Sequence, residues 1–375
     1  MDVEFEIAEG MSPSASEALW SELEARANPP FFLSWDWIGG WIDTAQICPA
    51  ILIGRRDGVV MLLAAVMPAT RRSPSGLPIH ALYLNATGVP AWDIITIEYN
   101  GFLVAAGQEG QFDGAAIRFL TSGIIVAGHR RDELHMKTAG ASIHSAIVQS
   151  GIGFSEVQAK PSYRIDLDTV RAAGKPYLDT LSANTRQQIR RSMRLYEQRG
   201  ALVATRAQTV EQAFTWLDEL GVLHQIYWVA RGEAGGFANP YFVRFQRHML
   251  RTCLAKGTVE LFRISAGEQA IGYVYNFVYR GHVYAYLTGT LYEDDAKLKP
   301  GLVNHVLAIE AHLAEGAAIY DFMAGDNRYK SSLGKPGPEM FYFVAQRQTL
   351  ALRLESALRH AKHRLDAWRA KPAQV

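Results

Sequence analysis

Residues 298–330 read LKPGLVNHVLAIEAHLAEGAAIYDFMAGDNRYK and determine the predicted fold. The Pro-Gly pair at 300–301 is typical of a helix start, because proline suits the first helical turn. A strand predicted at 284–288 precedes this helix, and an apolar strand at 319–322 follows it. The segment therefore predicts a strand-helix-strand unit. Its helix start would present free N–H groups, which favour an anion such as a pyrophosphate.

Chemically useful side chains follow the last of these strands. Asp326, Tyr329 and Lys330 bring a carboxylate, a phenol and an amine to a loop at the carboxyl end of a strand, where sites in open α/β sheets usually lie. Such groups orient an amine nucleophile or protonate a leaving group. A turn stabilised by the aspartate, with surface ion pairs, would explain the same residues.

Two helices upstream carry further candidates. A helix predicted over 177–198 places Arg186, Arg190 and Arg194 on one face at intervals of four residues. A phosphorylated substrate, a coenzyme phosphate or a nucleic-acid backbone would balance this stripe, and so would carboxylates from elsewhere in the fold. In the next helix, His224 and Trp228 share a face, which suits either substrate contact or core packing.

The two halves of the chain repeat one coarse pattern. Residues 51–66 and 260–279 both read as a short strand, a polar turn with glycine and a longer strand, which is expected of a duplicated α/β fold as well as of unrelated hairpins. The composition changes near 160–175. We predict a first domain over 1–165, a second over 166–348 and a C-terminal helix over 349–375.

Composition and charge narrow the class of protein. In 375 residues, 38 Lys and Arg oppose 37 Asp and Glu, so no global charge favours a nucleic-acid partner. Cys48 and Cys253 are too few for a disulfide framework, and Cys253 lies in an apolar stretch that predicts a buried thiol. His360 and His363 lack a third ligand, so we predict no metal site.

The chain also lacks the sequence signals of membrane insertion and of several enzyme classes. Its first residues are acidic and no apolar stretch reaches the roughly 20 residues of a membrane span, so we expect a cytoplasmic protein. The C-terminal helix allows peripheral membrane contact at most. There is no dinucleotide-binding glycine motif after a strand, no Walker A sequence, no zinc-protease motif and no serine-hydrolase elbow.

Taken together, the segments resemble the Gcn5-related N-acetyltransferase (GNAT) superfamily. They are most similar to its tandem-domain branch, which contains the Fem-type peptidoglycan aminoacyltransferases and the CelD/BcsL-type acetyltransferases of bacterial cellulose and exopolysaccharide synthesis. In chain order, the matching pieces are Phe32-x-Ser34-x-x-Trp37, Tyr99-Asn100-Gly101-Phe102-Leu103, Leu181-Ser182-x-x-Thr185-Arg186-x-x-Ile189-Arg190-Arg191, His224-x-x-x-Trp228-x-x-x-Gly232, Ile271-Gly272-Tyr273, Pro300-Gly301 and Asp321-Phe322-x-x-Gly325-Asp326-x-x-Tyr329-Lys330.

The resemblance implies an α/β fold of two tandem GNAT-type domains, each a mixed, mostly antiparallel sheet flanked by helices. The first domain would be degenerate and lie on the acceptor side, and the second would bind acetyl-CoA or another acyl-CoA. The chain departs from the fuller Gln/Arg-x-x-Gly-x-Gly/Ala loop, which keeps the aminoacyl-tRNA donor of Fem-type enzymes open. The residues implied in donor binding are Lys299, Pro300, Gly301, Leu302 and Asn304.

The resemblance also implies an N-acyltransferase acting on an amino sugar or a sugar-nucleotide precursor in cell-surface polysaccharide synthesis. Two alternatives stay open: an aminoacyl-tRNA-dependent transferase, the only case with a nucleic-acid partner, and a catalytically silent scaffold of a polysaccharide synthase. Acyl transfer needs a base for the amine and an acid for the thiolate. The candidates are Asp326 or Glu310 as base, Tyr329 or Lys330 as acid or substrate ligand, and Arg186, Arg190, His224 and Trp228 as substrate contacts.

Overall fold

The computed structural model describes residues 3–73, 76, 78–347 and 358. Apart from residue 358, the predicted C-terminal helix lies outside this part of the chain, and so do His360 and His363. The strands are β1 (Val3–Ala8), β2 (Ala50–Arg56), β3 (Val59–Arg72), β4 (Pro78–Leu84), β5 (Leu103–Val104), β6 (Ile125–Val126), β7 (His129–Arg130), β8 (Glu133–Ala139), β9 (Phe154–Lys160), β10 (Ser162–Asp166), β11 (Leu202–Arg206), β12 (Val259–Ala266), β13 (Gln269–Tyr279), β14 (His282–Thr290), β15 (Ile319–Ala324), β16 (Lys335–Pro336) and β17 (Met340–Gln346).

Most helices begin at residues with strong capping propensity. Ser182, for example, accepts a hydrogen bond from the backbone N–H of Thr185, so the helix predicted over 177–198 instead starts at Ala183, after a separate 3-10 turn at Tyr177–Thr180. None of the helices in the described ranges is long and apolar enough to cross a membrane. The helices are α1 (Pro13–Glu24), α2 (Trp35–Ala45), α3 (Glu109–Thr121), α4 (Ala141–Ser150), α5 (Leu167–Ala172), α6 (Ala183–Glu197), α7 (Val210–Val229), α8 (Pro240–Cys253), α9 (Pro300–Ala314) and α10 (Arg328–Leu333).

The two main sheets repeat one topology. The strand order is β1-β2-β3-β4-β8-β17-β9 in the first sheet and β11-β12-β13-β14-β15-β10-β16 in the second. In both, the fourth and fifth strands run parallel and all other neighbours in the order run antiparallel. A helix connects the two parallel strands in each case, α3 in the first domain and α9 in the second. This repeat confirms the predicted tandem, mostly antiparallel α/β fold.

The sixth strand of each sheet comes from the other half of the chain. β10 follows β9 directly but pairs with β15 in the second sheet, and β17 returns from the second half to pair with β8 and β9. The predicted domain limits therefore need correction: the boundary at 165/166 falls within β10, and residues 340–346 belong to the first sheet. The alternation of apolar residues predicts a strand but not its partner, which depends on the tertiary structure.

A shared aromatic core joins the two domains. The aromatic stretch at 31–41 contributes Phe31, which stacks on Phe277 of β13 with ring centroids 4.5 Å apart, and Trp37, which contacts Phe245 of α8. Cys253 lies in the same core, which confirms the predicted buried thiol. Two further cores cover the outer faces of the sheets, one under α3 and α4 and one under α6 and α9.

Candidate functional site

The second sheet opens between its two parallel strands. β14 and β15 pair only at residues 282–284 with 319–321, and then continue to Thr290 and Ala324 without pairing. A bulge at Tyr286 adds to the bend of β14, and the Tyr286 hydroxyl donates to the carbonyl of Ile95 in the first domain at 2.5 Å. The gap lies at the carboxyl ends of the strands, as predicted for the site.

The corresponding gap in the first sheet is filled by the chain itself. Beyond the pairing of β4 with β8, Asn100 donates its backbone N–H to Thr138 and its side-chain amide to Leu84, at 2.9 Å each. The Asn85 amide in turn donates to the Asn100 side chain and to the Gly101 carbonyl. Main chain at 100–101 thus occupies the space that stays open in the second sheet.

A buried acid and a buried base from the two domains lie near the end of β15. The Lys330 ammonium donates to the carbonyl of Ala324 at 2.6 Å, and the charges of Glu98 and Lys330 act on each other's pKa. Glu98 is 9 % exposed and Lys330 is 7 % exposed. Oε2 of Glu98 is buried and has no hydrogen-bond partner among the described residues.

The electrostatic environment favours proton exchange at this pair. Burial raises the pKa of Glu98, and the Lys330 ammonium offsets part of the rise. Burial lowers the pKa of Lys330, against the pull of Glu98 and Asp321. Both pKa values therefore move toward neutrality, which is the condition for general acid–base work near physiological pH.

A hydrogen-bonded chain next to the pair also spans both domains. Asp321 is 1 % exposed, and its Oδ2 accepts from the Tyr99 hydroxyl at 2.6 Å and contacts Nε2 of His282 at 3.0 Å. Its Oδ1 accepts from the backbone N–H of Met323 at 2.7 Å. Because Tyr99 follows Glu98 directly, Asp321 fixes the segment that carries the carboxylate.

The predicted catalytic residues are distributed unequally around this site. Of the three, only Lys330 belongs to the buried pair. Asp326 is exposed and accepts from the Tyr163 hydroxyl at 3.2 Å, whereas Tyr329 is stacked on His305 with centroids 5.1 Å apart and burial raises its pKa. Glu310 lies on α9, where burial raises its pKa as well.

Four of the predicted donor-binding residues lie together at the start of α9. Lys299 is the N-cap, its side chain makes no capping hydrogen bond, and its backbone N–H donates to Ser192 of α6 at 2.8 Å. A methyl group added at Gly301 would come no closer than 3.6 Å to any neighbour, so the helix start is open there. The Asn304 side chain instead points inward, where it is fully buried and packs against Gly272.

The predicted substrate contacts are largely satisfied within the protein. Arg190 donates to the Asp179 carboxylate at 2.7 Å and Arg186 lies 3.8 Å from it, so a carboxylate of the 3-10 turn directly before α6 balances part of the arginine stripe. His224 accepts from the indole N–H of Trp228 at 2.9 Å, and burial lowers the pKa of the histidine. Nδ1 of His224 is buried and has no partner in the described part of the chain.

A cavity of about 230 Å³, here called the first cavity, approaches the acid–base pair from the first domain. Ile97, next to Glu98, lines it, and so does Lys160, whose charge acts on both Glu98 and Lys330. Its walls combine the rings of Trp37 and Trp41 with several polar side chains. Apolar walls with a few polar groups are typical of small-molecule sites, and the volume, below the usual range of about 300–1,000 Å³, suits only a small ligand or part of a larger one.

Sequence patterns did not identify Glu98, His282 and Asp321 as site residues. Asp321 stood in the quoted strand and Glu98 preceded a matching motif, yet none of the three had a spacing that predicts chemistry. A structural signal is present in the backbone: Tyr99 and Met323 have φ angles of 50° and 58°. Non-glycine residues adopt this strained region rarely, and often at functional sites.

Comparisons with known proteins identify a matching sequence family and solved structures of similar fold. Residues 183–331 match the family model described as "Acetyltransferase (GNAT) domain". FemX is similar in structure with a TM-score of 0.61 at 11% identity, over 95% of this chain and 100% of that chain. A conserved protein of unknown function from Bacteroides thetaiotaomicron has a TM-score of 0.53 at 9% identity, over 92% of this chain and 100% of that chain.

A third structure is the C-terminal domain of a putative lysylphosphatidylglycerol synthetase from Agrobacterium fabrum. It has a TM-score of 0.50 at 12% identity, and the match covers 94% of this chain and 96% of that chain. No curated protein sequence matches the chain. At these identities the three structures share the fold alone. Residues 183–331 thus match the GNAT acetyltransferase family model, and the two-domain fold is similar to that of FemX.

Proposed function

We propose that the protein is an acyl-CoA-dependent N-acyltransferase that acts on a small amino sugar or sugar-nucleotide precursor of a cell-surface polysaccharide. The observation that carries the proposal is the buried pair of Glu98 and Lys330 at the end of β15, beside the gap between β14 and β15. The GNAT-type match covers the domain that holds this gap. The polysaccharide context rests on the sequence resemblance.

The two substrates would reach the pair from opposite domains. The acyl donor would lie in the gap of the second sheet, with its phosphates at the open start of α9 near Lys299 and Gly301. The acceptor would occupy the first cavity, where aromatic rings and polar side chains suit a sugar. The first domain cannot bind a donor in the same way, because residues 100–101 fill its gap.

The chemistry follows from the positions of the buried groups. The Glu98 carboxylate, with its raised pKa, takes a proton from the attacking amine, so that the neutral nucleophile adds to the thioester carbonyl. Unpaired backbone N–H groups of β14 beyond Tyr284 are the candidate donors to the oxyanion. The Lys330 ammonium, with its lowered pKa, stabilises the negative charge and can supply a proton to the leaving thiolate.

A thermal-shift titration with acetyl-CoA, longer acyl-CoAs and free coenzyme A tests the donor. A ligand of the native state stabilises it by RT ln(1 + [L]/Kd), or about 2.7 kcal/mol at a hundredfold excess over Kd. Thiol release from the bound donor, measured with a panel of amino sugars and nucleotide amino sugars, then tests the acceptor. Absence of any shift at millimolar acyl-CoA would remove coenzyme A as donor.

The arginine face of α6 favours an aminoacyl-tRNA donor as the second candidate. Arg191 and Arg194 are exposed and stand beside the two arginines that share Asp179, so the face keeps excess positive charge. Binding of tRNA would weaken steeply with salt, because each phosphate contact releases counterions. Affinity for tRNA measured between 50 and 200 mM salt distinguishes the candidates, and a slope near zero removes the second. Failure of both donors would favour the silent scaffold.

A further inference from the structure

A second cavity of about 560 Å³ lies between the first domain and the β13–β14 hairpin of the second. It shares no lining residue with the first cavity. The starts of α3 and α4 and the segment 99–102 form its first-domain side, and Tyr279, His282 and Tyr284 form its second-domain side. Its volume lies within the range of about 300–1,000 Å³ that is typical of ligand sites.

The repeat of the fold gives this cavity a counterpart in the second domain. α3 follows the fourth strand of its sheet as α9 follows the fourth strand of the other. The start of α9 carries Lys299 and an open glycine, whereas α3 starts at Glu109 and places Asp113 one turn later. The start of α3 is thus negatively charged where the start of α9 is positively charged. The two carboxylates of α3 would repel a phosphate group, whereas the start of α9 would attract one.

Asp113 is the unusual group in the cavity. It lines the wall, its exposed fraction is only 3 %, and its carboxylate forms no hydrogen bond or ion pair with any described residue. Burial and the neighbouring Glu109 raise its pKa to about 7. A buried carboxylate without a partner costs free energy, so a cation that enters the cavity would supply the missing partner.

The rest of the wall favours an organic cation. The rings of Tyr99, Tyr279 and Tyr284 line the cavity, and aromatic rings attract ammonium groups. The positively charged lining residue, Arg280, directs its guanidinium to the carbonyls of Glu24 and Ala27. The described residues contain no group of three or more His, Cys, Asp or Glu side chains that could hold a metal ion.

We propose that the second cavity binds a small organic compound with a primary ammonium group, which donates its N–H hydrogens to the Asp113 carboxylate. The inference goes beyond acyl transfer, because the cavity shares no lining residue with the first cavity and belongs mainly to the domain whose sheet gap is filled. Two residues of its wall, Tyr99 and His282, also belong to the hydrogen-bonded chain at Asp321. A primary ammonium fits better than a quaternary one, because the carboxylate lacks hydrogen-bond donors.

Calorimetric titration of the full chain at pH 8, where Asp113 is ionised, tests the proposal with putrescine as probe. The neutral isostere 1,4-butanediol and tetramethylammonium are the comparison ligands. We expect saturable putrescine binding that Asp113→Asn weakens by roughly tenfold or more, since a hydrogen bond to a charged group is worth about 1.5–3 kcal/mol. The matched control, Asp57→Asn in the exposed β2–β3 turn, should bind as the wild type does.

A second variant keeps the test independent of the charge change. Ser142 is exposed at the start of α4 and lines the cavity, so Ser142→Trp should obstruct it and abolish binding while the melting temperature stays near that of the wild type. The proposal is overturned if putrescine gives no saturable heat up to 10 mM, a generous limit for a specific site. Equal affinity in Asp113→Asn, or equal binding of butanediol, would overturn it as well.

Discussion

The pairing of Glu98 with Lys330 predicts a specific pattern of stability in a double-mutant cycle. Both side chains are more than nine-tenths buried, and the Lys330 ammonium donates to the backbone of Ala324. Lys330→Met removes the cation whose charge offsets part of the cost of burying Glu98, and a buried polar group that loses its compensation typically costs about 1–3 kcal/mol. At about 2–4 °C per kcal/mol for a domain of this size, we expect the melting temperature to fall by roughly 5 °C.

The double variant should recover much of this loss. In Glu98→Gln/Lys330→Met, both charges are gone and the remaining groups are neutral, so we expect it to melt well above Lys330→Met alone. Because the charge of each side chain acts on the pKa of the other, we expect a coupling energy of at least about 0.5 kcal/mol. Thermal denaturation of the four proteins at pH 7.5 measures this coupling whether or not the chain is an active enzyme.

The same variants test the catalytic role once a donor and an acceptor are identified. Glu98→Gln should lower kcat by roughly 10²–10⁴-fold, the usual contribution of a general base. Asp326→Asn is the matched control, because this carboxylate is exposed and close in sequence to Lys330. In the wild type, kcat/KM should fall with decreasing pH at a higher pH than an ordinary glutamate would give, because burial raises the pKa of Glu98.

Two results would refute this reasoning. If Lys330→Met and the double variant melt at the same temperature, the two side chains do not interact in the folded protein. If Asp326→Asn loses as much activity as Glu98→Gln, the base is not the buried carboxylate. An inactive wild type with the expected stability coupling would instead support a silent scaffold that keeps the pair as a structural element.

Three further predictions concern packing, pH and the contact between domains. Gly272→Ala should destabilise the fold by about 1–3 kcal/mol or more, because the added methyl group would lie 2.0 Å from the buried amide of Asn304. The methyl group of Gly301→Ala has room, so this variant should keep the wild-type melting temperature while weakening acyl-CoA binding. Burial lowers the pKa of His305 to about 3, so the unfolded state takes up a proton at a higher pH than the folded state does. The free energy of unfolding should therefore fall by up to about 1.4 kcal/mol per pH unit from pH 6.5 downward and level off near pH 3. In denaturant titrations, the free energy of unfolding of His305→Phe should depend less steeply on pH. Asp321→Asn removes the charged acceptor of the Tyr99 hydroxyl and should lower the unfolding free energy by about 1.5–3 kcal/mol in urea titrations, and an unchanged midpoint would contradict the interdomain hydrogen bond.

Local patterns predicted the elements of the second domain well. The Pro-Gly start of α9, the apolar strand β15 and the polar residues after it were all visible in one stretch of 33 residues. Periodicity and helix-start signals are local, and so a single sequence expresses them directly. The repeated hairpin left duplication and unrelated hairpins open, and the equivalent strand orders of the two sheets support duplication.

Pairing between distant segments was beyond the reach of these patterns. The exchange of β10 and β17 between the sheets has no local signal, because a strand of either sheet has the same alternation. The predicted base Asp326 is exposed, while Glu98, more than 200 residues away from Lys330 in the chain, is the carboxylate whose charge acts most strongly on Lys330. Burial, which raises the pKa of this carboxylate, arises only when the two domains meet.

The α/β fold class and the start of α9 could be read from the sequence, because both depend on residues close together in the chain, and the tandem fold followed from a resemblance. The tertiary structure decided which of the two gaps stays open, which acid meets which base and where an unpaired carboxylate is enclosed. These features depend on hydrogen bonds and desolvation between segments that are distant in sequence. Their free energies are properties of the packed interface between the domains.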